Sequence, residues 1–319
     1  MSTSTPPEEA PPVAIVGAGS IGAAFALLFA SAGRRVHVFD PSSQQRDALL
    51  DQVTASWRDL DSFQLAQSTE AAVRERIHIF DSLQHAAAPA EYVQECAPEQ
   101  LQLKREIFAE LDACTHPDAV LASASSALPV SRFAQDLPGA RRCLVAHPGN
   151  PPFLLRVIEL VPAAFTDADV TQRAARFLSS VGLSPITVRK EIAGFVFNRL
   201  QGAVLREAYC LVRDGVASVE EIDRIVRDGL GLRWSVVGPF ETVDLNTRGG
   251  IASHALKLGP AYAAMGAERG QHDPWTPELV SNVEQQRRAQ LPLEQWQDRV
   301  RWRDRALMAA LAARRRPGG

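Results

Sequence analysis

The chain has 319 residues, 46% of them apolar, and a formal net charge of −3. That length exceeds one ordinary core and suits two domains, while the near-neutral charge excludes the basic footprint of a nucleic-acid binder or of a protein held to an anionic membrane. Cys96, Cys114, Cys143 and Cys210 stand far apart with no Cys-x-x-Cys pair, so neither a metal site nor a disulfide framework is indicated, and a reducing, cytoplasmic setting is expected.

Residues 1–11 are polar, acidic and proline-rich, the reverse of a signal peptide, and are expected to form a disordered leader. The longest apolar run, residues 21–30, is too short to span a bilayer. Residues 13–16 read as a strand that runs straight into G17-A-G-S-I-G22. A helix over 21–32, ended by Gly33, and a strand over 36–39 closed by Asp40 follow. Each glycine has a physical reason: Gly17 for the tight turn, Gly19 for close approach of the backbone to a pyrophosphate, and Gly22 for packing of the helix on the strand. The free N–H groups at the helix start, around Ser20 and Ile21, face the phosphates. Asp40 can accept both ribose hydroxyls of an adenosine and would repel a 2′-phosphate, which predicts NAD rather than NADP.

A long polar helix is expected over 44–65, then strands over 77–80, 92–94, 119–122 and 143–146, with helices over 99–113 and 129–135 between them. This alternation predicts a Rossmann-type α/β unit, a doubly wound and mainly parallel sheet with helices on both faces. Two polar segments fall where the carboxyl edge of such a sheet lies: E95-C-A-P-E99 with Lys104, and A122-S-A-S-S-A-L128. The serines of the second also suit helix capping. The segment V145-A-H-P-G-N-P-P-F-L-L-R-V-I-E-L-V161 places His147 in one apolar run and Glu159 in the next, with a proline- and glycine-rich turn between them. If the runs pair, the carboxylate returns to the imidazole, and a histidine held by a carboxylate is a general base of controlled tautomer. A packed core histidine is the plainer reading of that stretch alone.

After a helix over 167–181 and a strand over 185–188 the pattern changes. A long helix over 194–215 carries Asn198 among apolar neighbours, S218-V-E-E has the form of a capping box, and the rest is helical in pattern. The boundary is therefore expected near 190, with an NAD-binding domain over 12–190 and an all-helical domain over 191–319 for substrate and dimerisation. The apolar face of 195–211 suits a symmetric homodimer.

The ordered motifs G-A-G-S-I-G, E-C-A-P-E, A-S-A-S-S-A-L, A-H-P-G-N-P, V-I-E-L-V-P, G-F-V-F-N-R-L and G-P-F-E-T together resemble the L-3-hydroxyacyl-CoA dehydrogenase superfamily over essentially the whole chain. L-G-L-R-W-S-V-V-G-P-F-E-T and W-R-D-R-A-L-M resemble its branch containing lambda-crystallin and L-gulonate 3-dehydrogenase. The resemblance implies a catalytic His147 with Glu159 as its partner, Ser126 and Asn198 binding the substrate oxygen, Glu99 and Lys104 near the nicotinamide ribose, NAD as cofactor, and a homodimer.

Two departures bear on the substrate. The serine run S-N-T-S-S of the acyl-CoA enzymes reads S123-A-S-S-A127 here, without the Asn, and L232-R-W-S-V-V237 replaces a shorter link. Arg233 is suited to grip a substrate carboxylate bidentately, or to form a surface or interdomain salt bridge. Gly149 stands where that branch has a bulkier residue and is expected to widen the pocket. The expected function is NAD-dependent oxidation of the 3-hydroxyl of a small hydroxy acid, L-gulonate or a relative. The alternatives are an acyl-CoA or carnitine 3-dehydrogenase and a crystallin-like structural protein that binds NAD.

Overall fold

Eight short strands form one sheet in the computed structural model, which describes residues 10–235, 238–246, 250–270 and scattered positions from 278 to 313. Most of the expected leader and the arginine-rich tail at 314–316 lie outside the described residues. The strands are β1 (Val13–Val16), β2 (Val36–Phe39), β3 (Ile77–Phe80), β4 (Tyr92–Glu95), β5 (Val120–Ser123), β6 (Cys143–Pro148), β7 (Val157–Pro162) and β8 (Ser184–Thr187). They lie in the order β3-β2-β1-β4-β5-β6-β7-β8, every neighbour parallel except β6 with β7. The helices of this part are α1 (Ser20–Ser31), α2 (Ser43–Ser62), α3 (Glu70–Glu75), α4 (Leu83–Ala87), α5 (Leu101–Cys114), α6 (Ser131–Ala134), α7 (Ala168–Ser180) and α8 (Phe197–Arg213).

The central strands are buried throughout, as nearly continuous apolar runs must be when helices cover both faces of a parallel sheet. Alternate residues of β1 go to opposite faces: Val13 and Ile15 join one apolar cluster, Ala14 and Val16 the other. Helix α1 is apolar nearly all round because it sits inside the first cluster, its residues from Gly22 to Ala30 all buried. Phe29 there meets Tyr92 and Phe177 edge-on, and a fully buried side chain of this size contributes about 1.5–3 kcal/mol. The sequence pattern does not announce α3 and α4, single turns started by the Thr69 and Ser82 side chains, which accept from Ala72 N and His85 N.

Two features of the topology prepare a site. The chain runs outward from β1 to β2 and β3, then returns to place β4 on β1's other side, so a crevice opens at the carboxyl ends of β1 and β4. The antiparallel β6–β7 hairpin pairs His147 with Glu159 across the strands, which brings two residues twelve apart in the chain into side-chain contact.

Contacts divide the chain into two compact units, Met1–Arg199 with Arg301–Gly319, and Leu200–Val300. By contacts the division falls inside α8, whose first turn is tied to the sheet. The C-terminal segment also rejoins the first unit: Met308 is buried in the cluster around α1, and Arg305 pairs with Asp59.

Among its described residues the second unit is helical: the remainder of α8, α9 (Val219–Arg224), a π-helical stretch over Ile225–Leu230, α10 (Gly231–Trp234), α11 (Pro239–Asn246) and α12 (Gly250–Arg269). The capping box opens α9, with Ser218 and Glu221 exchanging side chain–backbone bonds. Past α9 the helix gives way to wider π turns from Ile225. No helix among the described residues is long and apolar enough to cross a membrane.

Candidate active site

A short turn joins β1 to α1. Gly17 adopts φ +108°, and a Cβ there would lie 2.9 Å from the Cys96 carbonyl carbon, so the turn requires glycine. A Cβ on Gly22 would stand 1.8 Å from the Gly17 carbonyl oxygen, which fixes the helix hard against the turn. Gly19 differs: nothing lies within 4 Å of its would-be Cβ, so its smallness leaves open space in front of the backbone. Asp40, at the end of β2, accepts from Ala18 N and Ser42 N at 2.8 Å each, which ties the acid to the glycine turn.

A cavity of about 800 Å³ opens here, lined by Gly17, Gly19, Ser20, Ile21 and Asp40 on one side of the crevice and by Glu99, Lys104 and Ser126 from beyond β4 and β5. Open space over Gly19, a helix N-terminus and an acid at the next strand's end are the features that hold a dinucleotide. The residues therefore fit NAD.

Lys104 lines this cavity, yet its ammonium is committed to the protein. It donates to both oxygens of Glu95, at 2.9 and 2.8 Å, and only 1% of Lys104 and none of Glu95 is exposed. Ser123 Oγ and Ala97 N also donate to that carboxylate. A buried charge requires such pairing, so Lys104 braces the cavity wall rather than standing free beside a ribose. Glu95 is a site residue that sequence reasoning missed; the available signal was an acid ending an otherwise buried strand nine residues before a lysine on the next helix.

Glu99 braces the second loop. Its Oε1 accepts from Ser125 Oγ at 2.6 Å, Ala127 N at 2.7 Å and Leu128 N at 2.8 Å, so it organises the loop that carries Ser126. Burial pushes the Glu99 carboxyl up, but the hydrogen bonds from Ser125, Leu128, Ala127 and Ser126 outweigh it and hold the group below its usual 4.5. Ser126 itself is exposed, and its carbonyl accepts from Asn198 Nδ2 at 2.8 Å.

His147 and Glu159 are both buried, with 6% and 4% exposure. Nδ1 and Oε2 are 2.8 Å apart, so an ionised carboxylate makes Nδ1 the donor and leaves the lone pair on Nε2, a tautomer assigned from the partner. The other oxygen, Oε1, accepts from Val196 N at 2.8 Å and Phe197 N at 3.0 Å. Burial raises the Glu159 pKa; the bonds from His147, Phe197 and Val196 more than offset this, and the acid stays below its ordinary range. Those bonds depend on an unusual backbone step, since Phe195 has φ +48°, a left-handed conformation that costs a bulky residue on the order of 1–3 kcal/mol. The Phe195 and Phe197 rings lie 5.6 and 6.1 Å from the imidazole, centroid to centroid.

Within the first unit, hydrogen bonds thus link His147 to Glu159, Glu159 to the backbone just before Asn198, and Asn198 to Ser126. By contacts the first turn of α8, with Asn198, groups with the sheet-bearing unit, held by Glu159 and by the Asn198–Ser126 bond. Gly149 does not widen a pocket: a Cβ there would meet Leu155 Cβ at 2.9 Å, so glycine allows the turn after β6 to fold on itself. Arg233 is exposed on α10 of the second unit.

Comparison with known proteins gives a consistent result. Residues 12–192 match the NAD-binding domain of 3-hydroxyacyl-CoA dehydrogenase, and residues 194–293 match the C-terminal domain of the same family. Lambda-crystallin of Oryctolagus cuniculus is 35% identical over 302 residues, covering 92% of this chain and 93% of that protein. L-carnitine dehydrogenase of Streptomyces coelicolor is 39% identical over 273 residues, covering 85% of this chain and 82% of that protein. The crystal structure of an NAD⁺-dependent 5-formyl-3-hydroxy-2-methylpyridine 4-carboxylic acid 5-dehydrogenase superposes with a TM-score of 0.81 at 23% identity, over 94% of this chain and 97% of that one, a likeness of fold.

Proposed function

The chain belongs to the 3-hydroxyacyl-CoA dehydrogenase family and is an NAD-dependent oxidoreductase, and from that premise we propose that it oxidises the 3-hydroxyl of a small free hydroxy acid of the L-gulonate type. The observation that carries the mechanism is the His147–Glu159 pair, buried together at 2.8 Å.

In the forward direction His147 Nε2 takes the hydroxyl proton as the C3–H bond breaks and the C–O bond becomes a carbonyl. NAD, when bound, supplies the acceptor for the departing hydride. Glu159 fixes the tautomer that leaves Nε2 free and stabilises the imidazolium that forms. Base catalysis of this kind is worth on the order of 10² to 10⁴ in rate. The Ser126 hydroxyl and the Asn198 amide orient the reacting oxygen. Asn198 also holds the Ser126 backbone, so the two act as one element.

Arg233 is the proposed bidentate partner of a substrate carboxylate. Two sequence features favour a free acid over a thioester: the serine run lacks the Asn of the acyl-CoA enzymes, and the likeness to L-carnitine dehydrogenase extends over 85% of this chain. That same likeness makes L-carnitine the second reading. The protein is expected to work in the cytoplasm as a homodimer through its C-terminal helices, where Leu200, Ile225, Leu232 and Phe240 are exposed.

The test is NADH formation with L-gulonate, L-carnitine and L-3-hydroxybutyryl-CoA side by side, with His147→Gln as the blank. Fastest turnover of gulonate and a rise of about tenfold or more in its KM for Arg233→Ala support the reading. Preference for the thioester, with Arg233→Ala unchanged, sinks it.

A further inference from the structure

Gly194 and Phe195 are consecutive left-handed residues, at φ +74° and +48°. Glycine serves at the first, where the conformation is free of steric cost. The second is phenylalanine, 0% exposed, within the apolar cluster that contains Val145, Val161 and Val188. A chain that needed only the backbone turn would be better served by a second glycine, so the ring must have a role of its own. Its centroid lies 5.6 Å from that of His147 with the planes inclined at 54°, and Phe197 approaches the same imidazole edge-on at 82°. Immediately after the strained step, the N–H groups of Val196 and Phe197 converge on one oxygen of Glu159. Successive N–H groups turned to one side form a concave anion site, and the carboxylate of the catalytic pair fills it.

We propose that Phe195 is a positioning residue for the base: its ring seals the imidazole from water while its left-handed peptide aims two N–H groups at Glu159. The ring restricts His147 to the orientation in which Nδ1 meets Oε2, and the peptide fixes where Oε2 stands. This assignment rests on the reading of His147 as the base.

The experiment separates ring from backbone with three variants of the full-length protein. Phe195→Gly relieves the left-handed strain and removes the ring; Phe195→Ala removes the ring and keeps strain; Phe195→Leu keeps apolar bulk. The expected result is a fall in kcat of about tenfold or more for Gly and Ala, scaled to NAD-binding sites, with KM for NAD and substrate within about twofold and most of kcat restored by Leu. The Nδ1 proton of His147, identified by its absence in His147→Gln, gives a spectroscopic signature: its low-field resonance should broaden through exchange with water in the Gly and Ala variants. A folded Phe195→Gly with kcat within about twofold of the parent, or an unchanged imidazole resonance in it, overturns the proposal. Should the parent enzyme show no His147-dependent turnover, the functional reading fails, and the resonance alone then decides the role of Phe195.

Discussion

Glu159→Gln tests the link between structure and chemistry most directly, because the glutamine is nearly isosteric and the carboxylate's three donors are known. Glu159 accepts from His147 Nδ1 on one oxygen and from Val196 N and Phe197 N on the other. A glutamine has one acceptor and one donor end, so it must choose. With its carbonyl on the two peptide N–H groups, its NH₂ faces Nδ1, which then has to accept; the proton moves to Nε2 and the base is lost. The reverse orientation turns the NH₂ towards two N–H donors, leaving groups unsatisfied at about 1–3 kcal/mol each. The first orientation wins by several kcal/mol, so nearly every molecule holds the wrong tautomer. The expected fall in kcat is about 10² to 10⁴, the value of a general base, with NAD affinity unchanged because Glu159 does not line the cofactor cavity. Initial rates of NADH formation, with NAD binding and thermal melting in parallel, measure it. A folded, NAD-binding Glu159→Gln within tenfold of the parent kcat would refute the claim that this carboxylate controls the base.

The two helix-start glycines should separate folding from binding: Gly22→Ala, whose Cβ would meet the Gly17 carbonyl at 1.8 Å, lowers the melting temperature even without NAD, whereas Gly19→Ala, with nothing within 4 Å, melts normally and binds NAD at least about tenfold more weakly. Equal melting and equal binding for the pair would contradict the assigned roles. For Glu99 the linkage sign follows from its lowered folded pKa: the stability it contributes is fully present above its ordinary 4.5 and is lost as pH falls through the depressed value. Because Glu99 is exposed and its charge is screened by solvent, Glu99→Gln should cost less than about 1 kcal/mol at neutral pH, a cost that persists down to about 4.5 and shrinks below it. Denaturant titrations across that range would read a constant difference if the bonds to the Ser126 loop contribute nothing.

The sheet was legible because each strand is a short apolar run bounded by turn residues, and because strand, glycines, helix, strand and acid follow one another in order. The meeting of His147 with Glu159 was legible too, since a hairpin register is a local property. What escaped the pattern depends on segments far apart in the chain. Glu95 and Lys104 read as separate charges until β4 and α5 place the ammonium against the carboxylate with both buried. Helical periodicity marks where α8 runs but not the bond from Asn198 to the Ser126 carbonyl. Gly149 looked like a missing side chain in a pocket, and only the fold reveals Leu155 behind it. Left-handed Phe195 had no signature at all: propensity favours glycine at such a φ, and a phenylalanine after a glycine reads as ordinary core.

Three carboxylates divide the labour of preorganisation. Glu95 gathers Lys104, Ser123 and Ala97 N beneath the cofactor cavity; Glu99 gathers Ser125, Ala127 and Leu128 around the Ser126 loop; Glu159 gathers His147 and the start of α8. Each joins a strand or the loop after it to another segment, and each accepts from both backbone N–H and side-chain donors. Glu95 and Glu159 are buried and Glu99 is exposed; a buried acid needs such partners, and the bonds that satisfy it also fix the loops. A site built this way holds the His147 imidazole, the Ser126 loop and the cavity wall in place before any ligand arrives, so the proposed reaction would require little further reorganisation.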